Sequence, residues 1–186
     1  LQFVVAVEND APTFNLETLT GLEDQTLTVE LTNLVTDPDG DTLTFTLLSA
    51  ATNGQTSING TTLIFVPNPE FFGQDKVQLQ VSDGLATDSA EFNINIESVN
   101  DAPLLQNIDV DLSSNSNVLI DLSDYASDVE QDNLTFSIQT PPSQGSANID
   151  SSSLTYTPNA NYVGADSLSV IANDGEHNSN IAIISL

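Results

Sequence analysis

Residues 73–96 read GQDKVQLQVSDGLATDSAEFNINI, and their pattern decides the fold. Val77, Leu79 and Val81 alternate with Gln78 and Gln80, and Phe92, Ile94 and Ile96 alternate with Asn93 and Asn95. A period of two places apolar side chains on one face of a strand and polar ones on the other. Ser82-Asp83-Gly84 between the runs is turn chemistry. Such strands build a sheet with one face buried and one wet. The same alternation occupies residues 26–31 and 42–47. Asn59-Gly60, between Ser57-Ile58 and Leu63–Val66, reads as a hairpin turn, because both positions tolerate positive φ. With a strand inside 13–20 the count reaches about seven short strands, the pattern of an antiparallel immunoglobulin-like β-sandwich. No ten-residue stretch carries a helical stripe.

The unit occurs twice. NDAP at Asn9–Pro12 returns at Asn100–Pro103, an offset of 91, and the offset runs without a gap to the end of the chain. Leu43-Thr44-Phe45 returns as Leu134-Thr135-Phe136, Pro67-Asn68 as Pro158-Asn159, and Asp83-Gly84 as Asp174-Gly175. Nineteen of 87 paired positions are identical, mainly in turns and acidic loops. A fixed period of this kind marks an array of one domain. The expected division is 9–99 and 100–186, with residues 1–8 the last strand of an upstream copy or a linker. Leu1, Phe3 and Val5 fall in register with Phe92, Ile94 and Ile96, and Leu186 matches Asn95. Both ends read as cuts in an array that continues.

The chain has 186 residues, with 27 Asp plus Glu against one basic residue, Lys76, a formal charge of −26. Nucleic acid is excluded as a partner, because there are no cations to displace counterions from phosphates. An anionic membrane surface is excluded for the same reason, and no apolar run is long enough to insert. With no Cys there is no disulfide framework. An extracellular protein then needs another staple, such as a metal. Net charge keeps such a chain soluble in a saline exterior, where repulsion is screened.

Carboxylates cluster where strands do not need them. Asp37-Pro38-Asp39-Gly40-Asp41 presents three Asp at alternate positions, short side chains able to converge from one tight loop. Such a loop suits Ca²⁺, which takes about six to eight oxygens in flexible geometry. An EF-hand opening at Asp37 needs a Glu at its twelfth position, and that position holds Leu48. The second copy has Asp128, Glu130 and Asp132, a longer acid and no glycine, so its site is expected to be weaker or altered in geometry. Asn9-Asp10 and Asn100-Asp101 open each copy, Asp83 and Asp174 follow a strand, and Glu23-Asp24 occupies a turn of copy one alone. Asp-Gly and Asp-Pro-Asp-Gly are also ordinary turn sequences, so a solvated loop is the competing reading.

Taken together, VNDAP, LVTDPDGDTLTF, FVPNPEFFGQDKVQLQVSDG and FNINIESVNDAP resemble the bacterial cadherin-like tandem repeats of large secreted surface proteins and adhesins. The resemblance covers essentially the whole chain. It implies an all-β fold of two tandem seven-stranded immunoglobulin/cadherin-like β-sandwiches, with Ca²⁺ in the junctions stiffening the rod. By position, Asp37 and Asp39 are similar to the paired Asp ligands of cadherins, Asp83 to their distal Asp, and Asn9-Asp10 and Asn100-Asp101 to their linker. Glu23 is similar to the glutamate that closes a site from the preceding domain. The junction within the chain would then use Asn100, Asp101, Asp128, Glu130, Asp132 and Asp174, with Glu23 and Asp24. Asp37, Asp39, Asp41 and Asp83 would serve the N-terminal one.

The function expected is a calcium-stiffened structural repeat pair of a secreted, cell-surface adhesin. Its partners would be neighbouring repeats, with an extracellular glycan or a homotypic array as further candidates. The alternative is a carbohydrate-binding module. There is no Trp, however, and Tyr156 and Tyr162 match Phe65 and Phe71, which makes them core residues with a polar tip. Catalysis has little to stand on, and no catalytic residue is expected: His177 lies alone in a polar run, and Lys76 reads as an exposed strand residue.

Overall fold

The computed structural model describes residues 8–113 and 116–186, so the strand expected within residues 1–7 lies outside the described part. The chain divides into two units, Leu1–Val99 and Asn100–Leu186. In the first, the strands are β1 (Thr13–Phe14), β2 (Leu19–Leu22), β3 (Leu27–Glu30), β4 (Val35–Thr36), β5 (Thr44–Ser49), β6 (Gly54–Asn59), β7 (Thr62–Pro67), β8 (Gly73–Ser82) and β9 (Thr87–Glu97). Seven of them form a sandwich of a four-stranded sheet, ordered β2-β9-β8-β5, and a three-stranded sheet, ordered β3-β7-β6; β1 and β4 form a short separate ladder.

The alternating residues meet between the sheets. Leu63 and Phe65 from one sheet and Val77, Leu79, Val81, Phe92 and Ile94 from the other are buried in one cluster. Phe14 packs edge-on against Phe92 with ring centroids 5.2 Å apart. A single 3-10 turn, Leu31–Leu34, drops two leucines into this core.

The second unit repeats the plan with β10 (Leu104–Leu105), β11 (Ile108–Asp109), β12 (Val118–Asp121), β13 (Ala126–Ser127), β14 (Thr135–Thr140), β15 (Gly145–Asp150), β16 (Ser153–Pro158), β17 (Ser167–Asn173) and β18 (Ala182–Ser185). Its sheets are ordered β11-β18-β17-β14 and β12-β16-β15. Asp121 caps its 3-10 turn Leu122–Tyr125 by accepting from Ser123 N.

Three details correct the sequence reading. The sheets are mixed, since β2 pairs with β9 in parallel, and β11 with β18 likewise. The chain first pairs as β1 with β4 in the separate ladder and then joins the four-stranded sheet as β2, where it runs alongside the last strand. The hairpin turn is Gly60-Thr61 rather than Asn59-Gly60, because Asn59 pairs with Thr62 and only Gly60 of the two has positive φ, +62°.

The third correction concerns the offset. Val81 faces Asp88 and Leu79 faces Ala90, whereas Ala172 bonds to Ser179 but Val170 faces Ala182. One extra residue therefore bulges out between Ser179 and Ala182. From there the offset is 92, and Leu186 corresponds to Ile94 rather than Asn95.

Candidate functional site

At the end of the first unit where β8 passes into β9, the loop between β4 and β5 folds around Asp37. Its Oδ1 accepts the N–H groups of Asp39 at 3.0 Å, Gly40 at 2.8 Å and Asp41 at 3.3 Å. Gly40, at φ +73°, allows the loop to close. As a result one carboxylate oxygen each from Asp37, Asp39 and Asp41 lies within 4.8 Å of the others. Asp37 Oδ2 is buried and has no hydrogen-bond partner.

The linker and the β8–β9 turn join the same cluster. Asp10 N donates to Asp39 Oδ2 at 2.7 Å, and Asn9 Nδ2 donates to Asp83 Oδ2 at 2.9 Å. Asp83 Oδ1 accepts from Leu85 N and Ala86 N. The Ala86 N–H first, and then the Asn9 amide, hold the Asp83 carboxyl below its ordinary range. Asn9, Asp10, Asp37, Asp39, Asp41 and Asp83 are thus brought together.

The second unit reproduces the arrangement with its own residues. Asn100 Nδ2 donates to Asp174 Oδ2 at 3.0 Å, Asp101 N to Glu130 Oε2 at 3.1 Å, and Asp132 N to Asp128 Oδ1 at 3.0 Å. Oxygens of Asp128, Glu130 and Asp132 lie within 4.8 Å of one another. Asp128 Oδ2 and Glu130 Oε1 are buried without a partner. Gln131, at φ +64°, takes the place of Gly40 and bears the left-handed conformation without the freedom of glycine. Asp174 accepts from Glu176 N and His177 N, both at 2.6 Å. The His177 N–H and the Asn100 amide push its pKa down to about 2. His177 is exposed, with Nδ1 2.9 Å from Asn100 Nδ2. Its counterpart in copy one is Ala86.

Glu23 and Asp24 are not part of the Asp37 cluster. The length of β9 separates them from it, since Glu23 N donates to Glu97 O at the strand's far end. Glu23 is only 1% exposed. Its Oε1 accepts the Val99 N–H at 2.5 Å, and its Oε2 is buried without a partner. Asp24, at φ +56°, accepts from Glu70 N.

Two further acids, Asp75 and Asp166, stand one repeat of 91 residues apart and have no role in the sequence reading. Asp75 and Asp166, each 8% exposed, accept backbone N–H groups from the turns preceding β6 and β15. The available signal was parity, since Asp75 shares the inward face with Val77, Leu79 and Val81. Of the two tyrosines matched to core phenylalanines, Tyr156 is buried with its hydroxyl on Asp166, and half-buried Tyr162 donates to Ala165 O. Lys76 lies on the exposed sheet face, 3.1 Å from Glu91.

Two copies of an open sandwich, each with an acidic loop, linker and turn gathered at one end, define a tandem immunoglobulin-like repeat protein. The chain belongs to the bacterial Ig domain family, which matches residues 9–95 and again 100–186. Human protocadherin-24, as its first two extracellular domains, aligns over 95% of this chain and 97% of its own, at 18% identity and a TM-score of 0.66. Protocadherin gamma B7 aligns over 96% of this chain and 50% of its own, at 16% identity and 0.60. These likenesses establish the fold, immunoglobulin/cadherin-like and almost wholly β. The chain spans 28% of the length of an endo-fucoidan hydrolase that it matches at a TM-score of only 0.39. No curated protein matches the sequence significantly. No helix among the described residues is long and apolar enough to cross a membrane.

Proposed function

We propose that the chain is a calcium-stiffened pair of structural repeats from a secreted bacterial surface protein, serving adhesion directly or as a spacer. Its partners are neighbouring repeats of the same chain. The observation that carries this reading is the set of buried carboxylate oxygens without partners, Asp37 Oδ2 in one unit and Asp128 Oδ2 and Glu130 Oε1 in the other. A buried anionic oxygen that accepts nothing is costly, and a cation is the simplest group to relieve it. The one Lys or Arg side chain of the protein, Lys76, pairs with Glu91 on the sheet face.

The donor set fits Ca²⁺, being oxygen alone and flexible. Asp37, Asp39, Asp41 and Asp83, with Asn9 and Asp10 beside them, would hold an ion in the first unit. Asp128, Glu130, Asp132 and Asp174, with Asn100 and Asp101, would hold one in the second. The unpartnered Glu23 oxygen, with Asp24 nearby, offers ligands at the opposite end of the first unit. When bound, the ion supplies positive charge and nothing chemically reactive. The protein's part is to gather the carboxylates, and their mutual repulsion makes linker order depend on the cation. Extracellular modules bind calcium with Kd of about 10⁻⁴–10⁻³ M, which fits an exterior site.

Melting curves and solution scattering in EDTA and in millimolar calcium test this. Calcium should raise the melting temperature and narrow the distribution of shapes. At free calcium of about a hundred times Kd the stabilisation is roughly 2.7 kcal/mol per site. Asp37→Asn should weaken the response of the first unit. Identical curves with and without calcium would refute the proposal.

A further inference from the structure

The chain contains two Asn-Gly pairs, Asn53-Gly54 and Asn59-Gly60, and the fold treats them oppositely. We infer that Asn59 is a site of spontaneous deamidation and that Asn53 is protected from it by its surroundings. The reaction begins when the following backbone nitrogen attacks the side-chain Cγ. That nitrogen loses its proton, the Cγ–Nδ2 bond breaks, and ammonia leaves. Water then opens the resulting succinimide at either carbonyl, giving aspartate or isoaspartate. The net change is amide plus water to acid plus ammonia, with no other reactant.

The attack requires the backbone between Asn and Gly to rotate. At Gly60 the space is open: the residue sits in the two-residue loop at φ +62°, with no atom beyond its chain neighbours within 4 Å of where a Cβ would be, and the loop is tied on its far side, where Thr61 O accepts Leu31 N at 2.8 Å. Asn59 is exposed, and the loop is the outer end of the hairpin.

Asn53 is held on every side. Its N–H donates to Asp75 Oδ2 at 2.7 Å, its C=O accepts from Asn68 N at 2.9 Å, and its Nδ2 donates to Thr52 Oγ1 at 3.2 Å. Gly54 lies against the Phe65 ring so closely that a Cβ there would come within 2.5 Å of Cε2. Rotation at Asn53 therefore needs local opening of the turn.

Copy two independently shows that the aspartate product is tolerated. Asp150 occupies the position of Asn59, paired with Ser153 as Asn59 is with Thr62, and both are exposed. Conversion to aspartate reproduces a residue the same hairpin already carries, whereas isoaspartate lengthens the backbone by one carbon.

The test is peptide mapping by mass spectrometry after incubating the whole chain in warm, mildly alkaline buffer. Asn59 should convert faster than Asn53 on the order of tenfold or more, and the two rates should converge in denaturant. Asn59→Asp should melt at the parent's temperature. Equal rates in the folded protein, a difference that persists in denaturant, or a lowered melting temperature for Asn59→Asp would each overturn the inference.

Discussion

The Asp75 carboxylate accepts the backbone N–H of Asn53 at 2.7 Å, tying β8 to the turn ahead of β6. It also accepts from Thr52 N at 3.0 Å, Thr52 Oγ1 at 3.2 Å and Lys76 N at 2.8 Å. A nearly buried carboxylate with this many donors is a structural pin joining the two sheets. Replacing it by Ala leaves several N–H groups without an acceptor. Asp75→Ala should lower the stability of the first unit by about 3 kcal/mol, since each orphaned buried donor costs roughly 1–3 kcal/mol. Urea unfolding of parent and variant measures it, and a loss below about 0.5 kcal/mol, the size of an ordinary surface substitution, would show that Asp75 is no pin.

The same pin sets an acid limit. Burial opposes the charged form of Asp75, but the N–H groups of Asn53, Lys76 and Thr52 outweigh it and hold the carboxyl below its ordinary value. Asp166 is held down in the same way by Gln144, Ser143, Ser167 and Tyr156 against its own burial. A folded pKa below the unfolded one gives stability that is complete above the unfolded pKa, about 3.9. That stability is lost as pH falls through the folded value. The stability gap between the parent and Asp75→Asn should therefore be constant above about pH 5 and shrink below about pH 4. Unfolding curves across that range would contradict this if the gap stayed constant to the acid end.

Ser151 has φ +58° in the hairpin position where copy one has Gly60 at +62°. A side chain in the left-handed region is strained, and glycine removes the strain at some cost in unfolded-state entropy. Ser151→Gly should stabilise the second unit by about 0.5–1 kcal/mol. Thermal unfolding checks the sign; destabilisation would mean that the serine is not strained there.

Gly145 sits under the Tyr156 ring. An added Cβ would lie 2.6 Å from both Thr157 O and Tyr156 Cε2. Neither a ladder carbonyl nor a core ring can retreat easily. Gly145→Ala should cost about 1–3 kcal/mol, the range for overpacking, and should shift the Tyr156 fluorescence. A melting temperature equal to the parent's would show that the strand gives way.

Strand parity made the sandwich readable, because Val77, Leu79, Val81, Phe92, Ile94 and Ile96 all face inward as their alternation requires. The acidic cluster of each unit was readable too, since linker, loop and turn recur with one period. The extra residue near Asn180 was not. A bulge changes neither composition nor the spacing of the turn residues before it, and in a polar stretch one added residue leaves no mark. Asp75 escaped for another reason: an Asp in an acidic chain looks like surface until its parity is counted against its neighbours.

The bulge has a consequence of its own. In copy one Asp88 Oδ2 accepts Phe14 N at 2.9 Å, fixing β1 against β9. The equivalent residue by offset, Ser179, is turned inward to bond with Ala172 N. The task passes to Asn180, whose Oδ1 accepts Leu105 N at 3.0 Å and whose Nδ2 donates to Leu105 O at 2.8 Å. An aspartate can only accept, whereas the amide satisfies both backbone groups of Leu105 at once. Asn180→Asp should therefore keep one bond and set a carboxylate against a carbonyl oxygen. We expect a loss of about 1–3 kcal/mol, with faster amide exchange at Leu105 than in the parent. In copy one the reverse substitution, Asp88→Asn, should be milder: Asp88 only accepts, from Phe14 N and Ser89 N, and the amide oxygen of an Asn can still take the Phe14 N–H. Hydrogen exchange at Leu105 and Phe14 distinguishes the two: equal effects would mean that the bulge has no part in holding the first strand.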